Sequence, residues 1–188
     1  LSAINGTAIA RGSSWLKDSL GKQVFPKTCK LVENPHRLRS GASRLFDSEG
    51  LPTKKREILS KGVLNGWTLD LASARKLGMK PTANASRSAS SNPSPTNWNI
   101  ELSSPKDYCD NLLNEMRNGL LVTSLIGSTI NPNTGDYSRG VSGFWVEDGQ
   151  ICYPVSEITI AGNLRDMLKT IILGNDAQRH LSYVVPSI

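Results

Sequence analysis

The sequence predicts an α+β domain, mainly β, with about three or four peripheral helices. Three observations carry this. The 188 residues hold 16 Gly and 10 Pro but only 6% aromatics, a turn-rich composition. Such a composition favours a sheet over a helical bundle. Residues 144–153 read as two apolar strand ends closed by Asp148-Gly149, a hairpin signal. Helical periodicity is confined to short stretches, the clearest being Leu164, Met167, Leu168, Ile171 and Ile172.

Taken in order, residues 2–20 read as the end of a helix and a looser amphipathic stretch, since Gly6 and Gly12 weaken a continuous helix. Residues 24–32 have strand character interrupted by Pro26, and Asn34-Pro35-His36 is a turn. In residues 43–50, Phe46 is expected to anchor in the core while Asp47 and Glu49 point away and brace a turn. Residues 56–59 and 63–69 form two strands around the tight turn Ser60-Lys61-Gly62. Residues 69–77 turn helical, capped by Gly78. Residues 81–96, rich in Ser, Asn, Ala and Pro, form a surface loop inside one domain.

A strand follows at 97–102. A helix is then expected from Ser104 as N-cap, with Pro105 first, Asp107 near the dipole and Tyr108, Leu112 and Met116 on one apolar face. Residues 120–127 read as a short buried strand. Asn163 caps the last helix, Gly174 stops it, and Val184-Val185 suggest a closing strand.

A two-residue loop sets the register of the hairpin. Glu147 should face Gln150, Val146 face Ile151, Trp145 face Cys152 and Phe144 face Tyr153. Both faces are then apolar near the tip, so the hairpin is expected to be covered on both sides. At the far end, Ser138 and Glu157 share one face, and Arg139 and Ile158 the other. Asp136, Tyr137, Ser138, Arg139, Gly140 and Glu157 form a polar rim that could contact a peptide or a partner chain. The plainer reading is an ion pair or turn brace that ends the strand.

Composition bounds the function. The net charge of +6 is spread thinly, Lys54-Lys55-Arg56 being the one run, which suits a solvated face and argues against a nucleic-acid partner. No apolar run approaches a membrane span. Three cysteines without regular spacing argue against a disulfide framework and suit a reducing compartment. The first residue is Leu1, and the chain reads as part of something longer. Trp15, Trp67, Trp98 and Trp145 read as packing residues.

Two blocks resemble a known family. Residues 134–168, "TGDYSRGVSGFWVEDGQICYPVSEITIAGNLRDML", are similar to the C-terminal signature of the PmbA (TldE) proteins of the TldD/PmbA family. Residues 46–87, beginning "FDSEGLPTKKREILSKG", are similar to a second block of the same family in the same order. The resemblance implies that residues 1–188 form a single C-terminal domain of PmbA/TldE type, with an α/β N-terminal domain expected elsewhere in a cytoplasmic bacterial protein. It also implies a barrel-like or strongly curved, mostly antiparallel sheet.

By the same resemblance, TldD and TldE form a heterodimeric zinc metalloprotease that cuts small unfolded peptides. Its zinc sits on a His-Glu-x-x-x-His helix of the TldD-type partner. This chain has only His36 and His180, neither with a Glu at the required step, so no catalytic, cofactor or metal residue is expected here. The chain is then a non-catalytic subunit, inactive alone, with a TldD-type subunit and unfolded peptides as partners. Two alternatives stand beside this. One is a nucleic-acid or gyrase-associated binding module, since the family is also called a modulator of DNA gyrase. The other is a thiol hydrolase pairing Cys109 or Cys152 with His36 or His180, although both cysteines read as core residues.

Overall fold

The structure is a computed structural model and describes residues 1–104, 108–109, 111–179 and 181–188. A short 3₁₀ turn, Ser2–Ile4, leads into α1 (Gly6–Ala10). Then come β1 (Lys30–Glu33), β2 (Arg56–Ser60), β3 (Val63–Leu64), α2 (Leu71–Leu77), β4 (Ala85–Ser86), β5 (Ser94–Pro95) and β6 (Ile100–Ser103). The second half holds β7 (Tyr108–Cys109), α3 (Leu112–Met116), β8 (Gly119–Ile130), β9 (Asp136–Glu147) and β10 (Gln150–Asn163). It ends with α4 (Leu164–Met167), β11 (Leu173–Gly174) and β12 (Tyr183–Val184).

The first half builds the core. A five-stranded sheet runs β12-β6-β1-β2-β3, with β12 parallel to β6 and the other pairs antiparallel. Ile58, Leu59, Leu64 and Ile100 from this sheet bury against Ile4, Ile9, Trp15, Trp67 and Leu69. The Asn5 side chain accepts the Thr7 and Ala8 N–H groups and so starts α1. Gly6 lies against Thr68 and Ser73, where a Cβ would stand 2.5 Å from Ser73 Oγ. Asp70 caps α2 through a capping box with Ser73. Gly78 ends it in the left-handed conformation, at the position where the sequence predicts the cap. The 60–62 turn also stands where expected, with Lys61 at φ 49° and Gly62 at φ 72°. A Cβ on Gly62 would fall 2.2 Å from Phe25 O, so glycine is required there.

Several expectations are corrected. Strand structure at 24–32 begins only at Lys30, and the strand after Gly62 is just Val63–Leu64. Phe46 is 65% exposed whereas Asp47 is 3% exposed, the reverse of the expected orientation. The reason is hydrogen bonding. Asp47 Oδ1 accepts the N–H groups of Glu49 (2.9 Å) and Leu51 (3.0 Å), and Oδ2 accepts that of Ala85 (3.0 Å). Glu49 meanwhile accepts Leu71 N–H at 2.8 Å, at the start of α2.

Within residues 81–96, β4 pairs with β5, Ala83 and Ala85 are buried, and residues 87–92 are exposed. Of the helix expected from Ser104, Pro105 and Asp107 lie outside the described residues. Tyr108 is in a strand parallel to β11, and α3 starts instead at Leu112 under Asn111, whose Oδ1 accepts Asn114 N–H at 3.1 Å. The final helix stops at Met167. Leu173, inside the stretch expected to be helical, pairs instead with Tyr108, and Gly174 N–H donates to Ser187 O at 2.8 Å.

The second half is a three-stranded antiparallel sheet, β10-β9-β8, of long strands. β8 spans 12 residues rather than a short buried stretch, and residues 123–127 are exposed. The barrel-like or strongly curved expectation is overturned: no sheet among the described residues closes or curls strongly. Closure requires the two outermost strands to pair with each other. Here β8 and β10 stand on opposite sides of β9, and β3 and β12 on opposite ends of the larger sheet.

Candidate functional site

The hairpin turns at Asp148 (φ 47°) and Gly149 (φ 78°), the two positive φ values of a type I′ loop. Gln150 faces Glu147 and Ile151 faces Val146, as predicted. Beyond them the register departs. A bulge between Ile151 and Tyr153 brings Tyr153 opposite Trp145, and a second between Val155 and Ile158 adds another step. Ser138 therefore faces Ala161, and Arg139 faces Ile160 rather than Ile158. Cys152, expected in the core, is exposed in the first bulge.

The sheet is not covered on both sides. Val141 and Val146 are buried, but every residue of β10 is exposed or half-exposed, including Ile151 at 52% and Tyr153 at 50%. β9 lies at the centre because β8 pairs on its other side.

The rim residues separate into three environments. Asp136 closes the 131–135 turn. Its Oδ2 accepts Thr134 Oγ1–H at 2.6 Å and its Oδ1 accepts Asn163 Nδ2–H at 2.9 Å. These bonds, first from Thr134 and then from Asn163, hold its carboxyl below the usual aspartate value. The same turn sits on the core half, since Trp15 N–H donates to Pro132 O at 2.6 Å. Arg139 is half-buried and donates through Nη2 to Gly127 O, while its buried Nε has no hydrogen-bond partner. No ion pair joins Asp136 and Arg139; the ion pairs among the described residues lie elsewhere.

Tyr137, Ser138 and Gly140 stand opposite Gly162, Ala161 and Thr159, flush with the ladder. Glu157 is apart from them, exposed at φ 59° in the second bulge. The structure thus brings Asp136 to Gly140 together along one strand end and sets Glu157 outside the paired ladder. Gly143 does admit a close backbone, but it is the chain's own: a Cβ there would lie 1.9 Å from Leu121 O in β8. At Gly140 a Cβ would meet Ile126 at an ordinary 3.6 Å.

The donor groups elsewhere do not assemble into a metal or thiol centre. Among the described residues no three His, Cys, Asp or Glu side chains converge. His36 Nε2 bonds Thr53 Oγ1 at 3.1 Å, Cys152 Sγ contacts Gln150 O, and burial pushes the Cys29 thiol up. The Cys109 side chain and His180 lie outside the described residues. A buried polar cluster around Glu33 escapes the sequence reading. Glu33 is 1% exposed and pairs with Arg56, while its Oε1 accepts N–H groups from Asn84, Asn97 and the Trp98 backbone. A Glu ending an apolar strand was the available signal, but its partners are up to 65 residues away in sequence.

Comparison with known proteins places this chain in a metallopeptidase family. The chain matches, over residues 1–188, the model of the PmbA/TldA metallopeptidase C-terminal domain, and it belongs to that family. It is 48% identical over 177 residues to Metalloprotease PmbA of Escherichia coli O157:H7, covering 94% of this chain and 37% of that protein. A PmbA homologue of Haemophilus influenzae is 46% identical over 182 residues, with 97% and 39% covered. The chain thus spans well under half the length of these curated relatives. Among solved structures, a Bacteroides thetaiotaomicron protein described provisionally as a modulator of DNA gyrase superposes with a TM-score of 0.87 at 32% identity, covering 99% of this chain and 40% of that one. TldE from Thermococcus kodakarensis shares the fold at a TM-score of 0.84 and 22% identity, with 99% and 43% covered. No helix among the described residues is long and apolar enough to cross a membrane.

Proposed function

We propose that this chain acts as a non-catalytic PmbA/TldE-type subunit of a TldD–TldE zinc metalloprotease in the bacterial cytoplasm. It completes the cavity in which small unfolded peptides are cut, and the zinc is held by a TldD-type partner. The observation that carries this reading is the donor set. A zinc site takes four tetrahedral N, S or O ligands, three of them from protein in a catalytic centre. Among the described residues, His36 is bonded to Thr53, the two cysteines lie in unlike settings, one buried and one exposed, and no three His, Cys, Asp or Glu side chains converge. They do not fit the ion, so no hydrolytic step is derived through this chain.

The second support is the exposed 14-residue strand β10, whose outer edge can accept an extended backbone. Tyr137, Ser138, Arg139, Gly140 and Glu157 then serve as contacts for a peptide or the partner, and Asp136 fixes the strand end that carries them.

The test is peptide cleavage by this protein alone, by a TldD-type subunit alone, and by the two together, with metal analysis of each. Cleavage that needs the partner, and zinc that follows the partner, agree with the proposal. Metal-dependent cleavage by this chain alone overturns it.

A further inference from the structure

The sequence holds three Asn-Gly pairs, Asn5-Gly6, Asn65-Gly66 and Asn118-Gly119. Such pairs can cyclise, because glycine leaves the following backbone nitrogen sterically open to the asparagine side chain. The fold treats the three differently. Asn5 is committed as the cap of α1 and donates through Nδ2 to Pro95 O at 2.9 Å, while Gly6 N–H is held by Thr68 O at 2.8 Å. Asn118 Oδ1 accepts Asp148 N–H at 2.9 Å, and Gly119 is fixed in β8 opposite Val146. Asn65 is exposed, its side chain makes a single long bond of 3.3 Å to Glu57 O, and Gly66 N–H has no acceptor among the described residues. Open space surrounds Gly66, with nothing within 4 Å of a Cβ position.

We propose that Asn65 is a site of spontaneous deamidation selected by the fold. The Gly66 amide nitrogen, deprotonated by hydroxide, attacks Asn65 Cγ and forms a new N–Cγ bond. The Cγ–Nδ2 bond breaks, and the nitrogen leaves as ammonia after taking a proton from water. Water then opens the succinimide at either carbonyl, giving aspartate or isoaspartate. A neutral amide becomes a carboxylate, so the net charge falls by one from +6. The isoaspartyl product also lengthens the main chain by one methylene. That extra length falls between two anchored points. Leu64 is buried with its N–H on Lys22 O, and Trp67 O accepts Arg56 Nη1–H at 2.7 Å. The isoaspartyl form is therefore less stable than the parent.

Peptide mapping of the native protein, held in mildly alkaline buffer, tests this. The Asn65 peptide gains one dalton and splits into two chromatographic forms severalfold faster than the Asn5 and Asn118 peptides. In denaturant the three converge to comparable rates. Gly66→Ala fits the open space and slows the Asn65 reaction severalfold without changing Asn118. Asn65→Gln, which keeps an amide, abolishes the early acidic shift in isoelectric focusing. The proposal is overturned if Asn5 or Asn118 reacts first in the native protein, if folding leaves the relative rates unchanged, or if Gly66→Ala reacts as fast as the parent.

Discussion

Glu33 and Arg56 face each other across β1 and β2, with Arg56 Nε 2.5 Å from Glu33 Oε2 and the carboxylate 1% exposed. The guanidinium also donates to Trp67 O and Thr68 Oγ1, tying the sheet to the segment that leads into α2. Removing one partner of such a pair leaves a buried charge uncompensated. Arg56→Met is expected to lower unfolding stability by roughly 3–5 kcal/mol. Urea denaturation measures it, and a loss within ordinary surface scatter would refute the account.

Asp47 holds three backbone N–H groups, and Phe46 beside it points to solvent. Asp47→Ala strands those donors and should cost roughly 1–3 kcal/mol or more. Phe46→Ser should stay within about 0.5 kcal/mol of the parent, as exposed substitutions do. Thermal unfolding of the two variants side by side gives the contrast.

Gly143 and Gly140 differ in the room around them. Gly143→Ala drives a methyl into Leu121 O of β8 and should destabilise by roughly 1–3 kcal/mol through backbone displacement. Gly140→Ala meets Ile126 at 3.6 Å and should be tolerated. Amide hydrogen exchange along β8 reads the difference, with faster exchange in the Gly143 variant.

Asp136 gives a pH signature. Its folded carboxyl lies below the usual aspartate value because Thr134 and Asn163 donate to the charged form. A depressed carboxyl stabilises fully above its unfolded value and loses that contribution as pH falls through the folded one. Stabilisation of the 131–135 turn should therefore start to fall as pH drops through the ordinary aspartate range and be gone once pH is below the folded value. Asp136→Asn should remove this acid dependence while weakening the turn at neutral pH. Limited proteolysis across the acid range, comparing the two proteins, reports it. Equal acid profiles would contradict the assignment.

The legible parts of the fold were those fixed by chemistry within a few residues. The Asp148-Gly149 turn, the Lys61-Gly62 turn, the Gly78 end of α2 and the Asn163 cap each follow from a local backbone requirement. The register beyond Ile151 was not legible, because each bulge is decided by packing across strands and every later pair inherits the offset. The inversion of Phe46 and Asp47 was hidden for a related reason. Satisfying buried N–H groups from the distant 85 position outweighed burying one aromatic ring. At the rim, sequence proximity suggested that Asp136 and Arg139 act together, whereas the fold gives the first to Thr134 and Asn163 and the second to Gly127.

The two bulges make β10 a strand of 14 residues against the 12 of β9. Those surplus residues work as a phase setting for the far half of the ribbon. Flattening the first bulge, so that Cys152 paired with Trp145, would slide residues 153–163 by one place and turn each side chain to the opposite surface. The Arg139–Ile160 neighbourhood would then be rebuilt without any change to either residue. The bulges in this strand therefore constrain the rim as tightly as residue identity does.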